Sequence, residues 1–192
     1  MIISSIENER FLIRPVTAMD EAPFMRIQQE NSEIQKVYEE EPFRESLWKK
    51  SLDGEDDIYM MIFRKEDNCH IGNCSFQNVN TQVIEIGIDI DKTMQNHGLG
   101  TGALRLMVEY LKKNAADQRH QIKTKSNNIP CQMMIENAGG KKIGEEATNF
   151  DRIMDKMLPT LEKNGMEKQV EETRKLLDRN KGICTYIYEF NQ

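Results

Sequence analysis

Val83-Ile-Glu-Ile-Gly-Ile-Asp-Ile-Asp-Lys-Thr-Met-Gln-Asn-His-Gly-Leu-Gly-Thr-Gly-Ala103 reads as a strand, a glycine-rich turn and the opening of a helix. Strand alternation places Ile84, Ile86, Ile88 and Ile90 on one face and Glu85, Gly87 and Asp89 on the other. The isoleucine face belongs in a core. The opposite face needs a reason to be polar. Beyond the turn, Leu99, Ala103, Leu106, Met107, Tyr110 and Leu111 recur at helical spacing, and Lys112 and Lys113 suit the negative end of the dipole, so a helix is predicted over 98–113.

Glycines at a strand-to-helix junction let several backbone N–H groups point outward at the positive helix end, so Met94 to Gly102 predicts an anion cradle. There Gly98, Gly100 and Gly102 would keep side chains clear of a pyrophosphate. A Walker loop is excluded, because no Gly-Lys-Ser or Gly-Lys-Thr follows. Gly98 to Ala103 does satisfy the dinucleotide pattern G-x-G-x-x-A. The next strand, however, ends in Lys125-Ser126 without a ribose-binding acid, and antiparallel strands precede the loop.

Working outward, strands are predicted at 58–64 and 70–77 as a hairpin around Lys65-Glu-Asp-Asn68, and Arg10 to Pro15 reads as an earlier strand. A helix capped by Thr17 or Asp20 runs towards Gln29, and a second covers 43–52. A strand at 121–125 leads to a helix with Pro130 in its first turn and Gly139 at its end, followed by strands at 141–146 and 183–190. Between those last two strands, 149–180 reads as two charged helices broken near Asn164-Gly165, an insertion suited to a homodimer contact or an acceptor lid.

The 192 residues are taken as one domain, with 30% charged residues and a formal net charge of −6. That charge gives no general attraction for nucleic acid or an anionic membrane. The longest clean apolar run, Tyr59 to Phe63, is too short to span a bilayer, and no leader-like pattern opens the chain, so a cytoplasmic protein is expected. Cys69, Cys74, Cys131 and Cys184 form no Cys-x-x-Cys pair, and His70, His97 and His120 lack ligand spacing, so no metal is expected.

Gln95-Asn-His-Gly-Leu-Gly100 resembles the Q/R-x-x-G-x-G/A signature of the GNAT superfamily of N-acetyltransferases. Downstream, Asn128-Ile-Pro-Cys-Gln-Met-Met-Ile-Glu-Asn-Ala-Gly-Gly140 is similar to the family's N-x-x-S-x-x-x-x-E-K-x-G-F segment with its spacing intact. Glu9-Arg-Phe-Leu-Ile-Arg-Pro15 is similar to the first strand of the branch that includes ribosomal-protein alanine acetyltransferases. The resemblance spans about residues 9–146 and the closing strand. Departures are Cys131 for serine, Asn137 for lysine, Gly140 for phenylalanine, and Ile135 where many members carry the tyrosine thought to protonate the leaving thiolate.

The resemblance implies an α/β fold with a mixed, mostly antiparallel central sheet flanked by helices, and transfer of acetyl from acetyl-CoA to a primary amine of a small molecule or protein N-terminus. The strand at Val83 to Ile90 would splay from its neighbour, with Gly87 suited to a bulge. Ile88 and Ile90 would then offer backbone groups to pantetheine or the thioester oxygen. Gln95, Asn96, His97, Gly98, Leu99 and Gly100 would surround the pyrophosphate, His97 alternatively facing solvent. Asn128 would contact the pantetheine arm or cap its helix. Glu85 is the candidate general base, against the plainer reading of a salt-bridged strand glutamate. Tyr186 and Tyr188 are conceivable proton donors to the thiolate, or packing residues. Glu39 to Glu41 fall where relatives build the acceptor wall, which would favour a cationic acceptor, or form a solvated loop. The rival reading is a catalytically weak acyl-CoA-binding regulatory module.

Overall fold

The computed structural model describes residues 3–32, 35–148, 158–159, 162–163 and 167–191. Within them one sheet has the order β1-β2-β3-β4-β5-β6-β8-β7. Its strands are β1 (Ile6–Glu7), β2 (Phe11–Pro15), β3 (Ile58–Arg64), β4 (Cys69–Gln77), β5 (Val83–Ile90), β6 (Arg119–Lys125), β7 (Gly140–Ala147) and β8 (Cys184–Phe190). Every neighbouring pair is antiparallel except β5 and β6. The helices are α1 (Glu21–Asn31), α2 (Glu41–Asp53), α3 (Leu99–Asn114), α4 (Ile129–Asn137) and α5 (Glu167–Asn180). This is the mixed, mostly antiparallel sheet flanked by helices that the family resemblance implies. Of the predicted helical pair only α5 and short pieces of the first helix are described, and the proposed break near Asn164-Gly165 lies outside the described residues.

Strand β3 is apolar or aromatic from Ile58 to Phe63 because a helical layer meets each of its faces. Ile58, Met60 and Ile62 join the core beneath α3, whereas Tyr59, Met61 and Phe63 pack with Phe24 of α1 and Trp48 of α2. In α3, Ala103, Leu104, Met107 and Leu111 are fully buried. Each large apolar side chain so placed contributes roughly 1.5–3 kcal/mol.

Helix α1 is set by an ionic knot. Thr17 N–H and Oγ1 each donate to Asp20 at 2.7 Å, and Arg14 grips both Asp20 oxygens at 2.8 Å, holding that carboxyl well below the usual range. Helix α2 begins at Glu41, two residues earlier than predicted, because Pro42 fits a first turn and Glu41 suits the positive helix end.

The parallel pair decides where a site can form. Strands β5 and β6 are in register only from Val83↔Arg119 to Ile86↔Ile122, while β6 continues to Lys125 against β8. Residues Gly87 to Ile90 therefore keep β4 on one side and, among the described residues, have no strand on the other. The Asp91 N–H donates to the Ile71 carbonyl of β4 at 2.9 Å, so by alternation the main-chain groups of Ile88 and Ile90 face the open side. Gly87 carries no bulge, contrary to expectation: its register against Ser75 is unbroken. Glycine there leaves room for Ser75, whose Oγ would lie 2.5 Å from a Cβ and would have to move.

Candidate functional site

The splay opens into a cleft of about 800 Å³ bounded by the end of β5, the turn into α3, the start of α4 and the C-terminal end of α1. The turn is rigidly built. Asp91 accepts from Thr93 N–H at 2.9 Å and Thr93 Oγ1 at 2.6 Å, and pairs with Arg26 of α1 at 2.7 Å. These contacts hold its carboxyl down at about 2. Asn96 and Gly98 adopt left-handed backbone conformations, φ +64° and +72°, which turn the chain into α3. The first intrahelical bond of α3 is Gly102 N–H to the Gly98 carbonyl at 3.1 Å, so the amides of Leu99 to Thr101 precede the ladder and remain at the helix mouth.

The three glycines of the loop divide their duties. A Cβ on Gly98 would meet open space, so its role is conformational. On Gly100 a Cβ would lie 2.7 Å from Met134 Sδ and 3.2 Å from Ile90 Cγ1, so glycine lets α3 close against α4 and β5. A Cβ on Gly102 would lie 2.7 Å from the Phe11 ring, outside the cleft, so this glycine serves packing instead of anion approach.

Ile88, Ile90, Gln95, Asn96, Gly98, Gly100 and Asn128 all line the cleft. His97 is exposed and Leu99 is buried in the core, and neither side chain lines it. Gln95 Nε2 donates to the Ile90 carbonyl at 2.9 Å and to Asn31 Oδ1 at 3.2 Å, so this side chain ties the loop to β5. Asn128 Oδ1 accepts from Cys131 N–H at 3.2 Å as a helix cap. Lys92 and Thr101 also face the cleft, although no sequence signal marked them.

Glu85 stands in the paired half of β5, outside the cleft, with its carboxylate 3.2 Å from Lys123 Nζ, which also reaches Glu146 at 3.2 Å. Asp89 does line the cleft. Burial pushes its carboxyl up to about 6, against the smaller opposing effect of Gln28 Nε2 at 3.3 Å.

Glu39 to Glu41 do not form the cleft wall. They close a 3-10 turn and start α2, while Glu30, Asn31, Ser32 and Gln35 form the α1 side. Neither tyrosine of β8 lines the cleft: Tyr188 donates to Glu136 at 3.3 Å, and Tyr186 lies under Lys142 Nζ at 3.2 Å from the ring centroid. Ile135 is fully buried. Burial raises the Cys131 thiol, the opposite of nucleophile activation.

Residues 10–141 match the family model described as an acetyltransferase (GNAT) domain. The chain belongs to the GNAT acetyltransferases. No curated protein matches it in sequence. Among solved structures it is similar to a GNAT-family acetyltransferase from Bacillus anthracis, at 17% identity and TM-score 0.67 over 97% of this chain and 98% of that one. It is also similar to ribosomal-protein-S5-alanine acetyltransferase from Vibrio fischeri, at 18% identity and TM-score 0.61 over 77% and 88%. A third is spermidine N-acetyltransferase from Vibrio cholerae, solved with CoA and spermine, at 17% identity and TM-score 0.60 over 73% and 86%. These likenesses are of fold. Among the described residues, no helix of this GNAT chain is long and apolar enough to cross a membrane, and no group of His, Cys, Asp or Glu is arranged to hold a metal.

Proposed function

We propose that the chain, acting as one domain, transfers the acetyl group of acetyl-CoA to a primary amine by direct attack on the thioester. The observation that carries this reading is one cleft containing both an open β5 edge and an exposed helix mouth. An open edge can accept an extended arm as an added strand, and a helix mouth suits a pyrophosphate. The amides of Gly98 to Thr101, with the cation of Lys92, would hold the pyrophosphate, while Ile88 and the side-chain amide of Asn128 would meet the pantetheine arm. Gln95 would act by shaping the loop, and Leu99 through its main chain alone. The raised Cys131 thiol favours direct transfer over an acetyl-enzyme.

A neutral amine attacks the thioester carbon, the C–S bond breaks, and the proton shed by the new amide nitrogen goes to the thiolate. With Ile135 buried and the β8 tyrosines engaged elsewhere, that transfer is assigned to the nitrogen itself or to water. The test joins calorimetry with acetyl-CoA to thiol release over a panel of primary alkylamines and a peptide with N-terminal alanine. Cofactor binding with amine-dependent release is the expected outcome. Binding without release above hydrolysis would replace this reading with the acyl-CoA-binding module that Ile135 favours.

A further inference from the structure

Two carboxylates share the polar face of β5 in opposite circumstances. Glu85 is ion-paired with Lys123, which it shares with Glu146, and lies outside the cleft. Asp89 lines the cleft beneath the last turns of α1, is partly buried, and accepts one long hydrogen bond, 3.3 Å from Gln28 Nε2. Among the described residues it forms no ion pair: Arg26 of α1 is engaged by Glu30 at 2.9 Å and Asp91 at 2.7 Å, and Lys92, though it lines the same cleft, makes no salt bridge to Asp89. A desolvated carboxylate lacking a cation is costly, and an ammonium head supplies the missing charge.

We propose that Asp89 receives the acceptor as a primary alkylammonium and takes one proton from it, which makes Asp89 the specificity-determining and proton-accepting carboxylate of the cleft. This rests on the acetyl-transfer reading above. The balance is simple: R–NH3+ and Asp89 carboxylate become R–NH2 and the carboxylic acid. The amine lone pair then forms the C–N bond, and Asp89 returns its proton to water through the open cleft. The same burial that raises the carboxyl also disfavours the ammonium, so proton transfer between them is easier than in bulk water.

Three titratable neighbours of Asp89 are driven away from its range, and the loss of the acidic limb in Asp89→Asn is what separates Asp89 from His70 and from Glu30 and Lys92 on the cleft. The 3-10 turn over 35–39 presents Tyr38, β4 presents Cys74 and α4 presents Cys131, and burial drives all three further above neutrality. Strand β4 also carries Asn73, the register partner of Asp89. His70, pushed down by burial, reaches Asn73 at 3.0 Å.

The test compares Asp89→Asn and Asp89→Glu with the wild type, using whichever panel amine the wild type acetylates fastest. Asp89→Asn is expected to lower kcat/KM at least ~100-fold, abolish the acidic limb near pH 6, and leave acetyl-CoA affinity within about twofold. Asp89→Glu is expected to retain a limb. If Asp89→Asn stays within about threefold of an active wild type and keeps its limb, the inference is overturned while amine acetylation stands. If the wild type binds acetyl-CoA and acetylates no amine, the functional reading falls first and the inference with it.

Discussion

From Val83 to Ile86, β5 is held between β4 and β6; from Gly87 to Ile90, among the described residues, β4 is its one strand partner. The two halves carry the same alternation of isoleucine with a small or acidic residue. What separates them is the company each keeps. In the first half Glu85 meets Lys123 of the paired strand, and in the second β6 has left and α1 supplies Gln28 and Asn31 instead. A main-chain edge and a carboxylate become chemically available at the same point, because one strand diverges there.

The carboxylates give the sharpest way to break this comparison. Against the ~100-fold loss expected for Asp89→Asn, Glu85→Gln should lower kcat/KM by less than about fivefold and preserve the acidic limb. Its effect on stability should be below about 1 kcal/mol, since the Lys123 contact is partly solvated. A Glu85→Gln enzyme that loses the limb while Asp89→Asn keeps it would reverse the assignment, and pH–rate profiles of the two variants decide the matter.

A proline scan of the edge sharpens the same contrast at smaller magnitude. Ile88→Pro removes an N–H that faces the open side and breaks no bond to β4, so it should melt near the wild type while binding acetyl-CoA about tenfold more weakly. Ile86→Pro removes an N–H on the side where β6 is paired, leaves a buried acceptor unsatisfied, and should cost about 1–3 kcal/mol. Equal destabilisation by both, measured by thermal melts and calorimetry, would mean that the edge at Ile88 is not open in solution.

The extents of β3 and β5 were legible because alternation and turn residues are local signals. The helix mouth was legible because a glycine turn followed at once by an apolar helical repeat marks where a strand gives way to a helix. The extent of the β5–β6 register was not legible in the residues themselves, since the pull of β8 on β6 arises some sixty residues downstream. The resemblance to relatives supplied that splay. Glu39 to Glu41 misled because a run of like charge looks the same in a binding wall and in the first turn of α2. Gly102 misled because closeness to Phe11 of β2 leaves no trace in a loop pattern. Alternation placed Asp89 on the polar face correctly. Its desolvation depends on α1, whose Gln28 lies 61 residues away in sequence, so its difference from Glu85 had no local signature.

The smallest effect expected is on stability, and its sign separates the two carboxylates again. Asp89 has a folded-state pKa of about 6, above an unfolded value of roughly 3.9. Between these values the native state binds more protons than the unfolded one, so stability falls as pH rises from about 4 to about 6 and the deficit is complete above that window. Asp89→Asn removes the charge, so at pH 8 it should stabilise the protein by about 1–2 kcal/mol, a figure discounted for partial exposure, and at pH 4 it should change little. Glu85→Gln should be neutral or mildly destabilising at pH 8, because the charge it deletes is already paired. Denaturant melts of both variants at the two pH values provide the measurement. Destabilisation by Asp89→Asn at pH 8 would show that its charge already has a partner in the free protein, leaving an incoming ammonium nothing to neutralise.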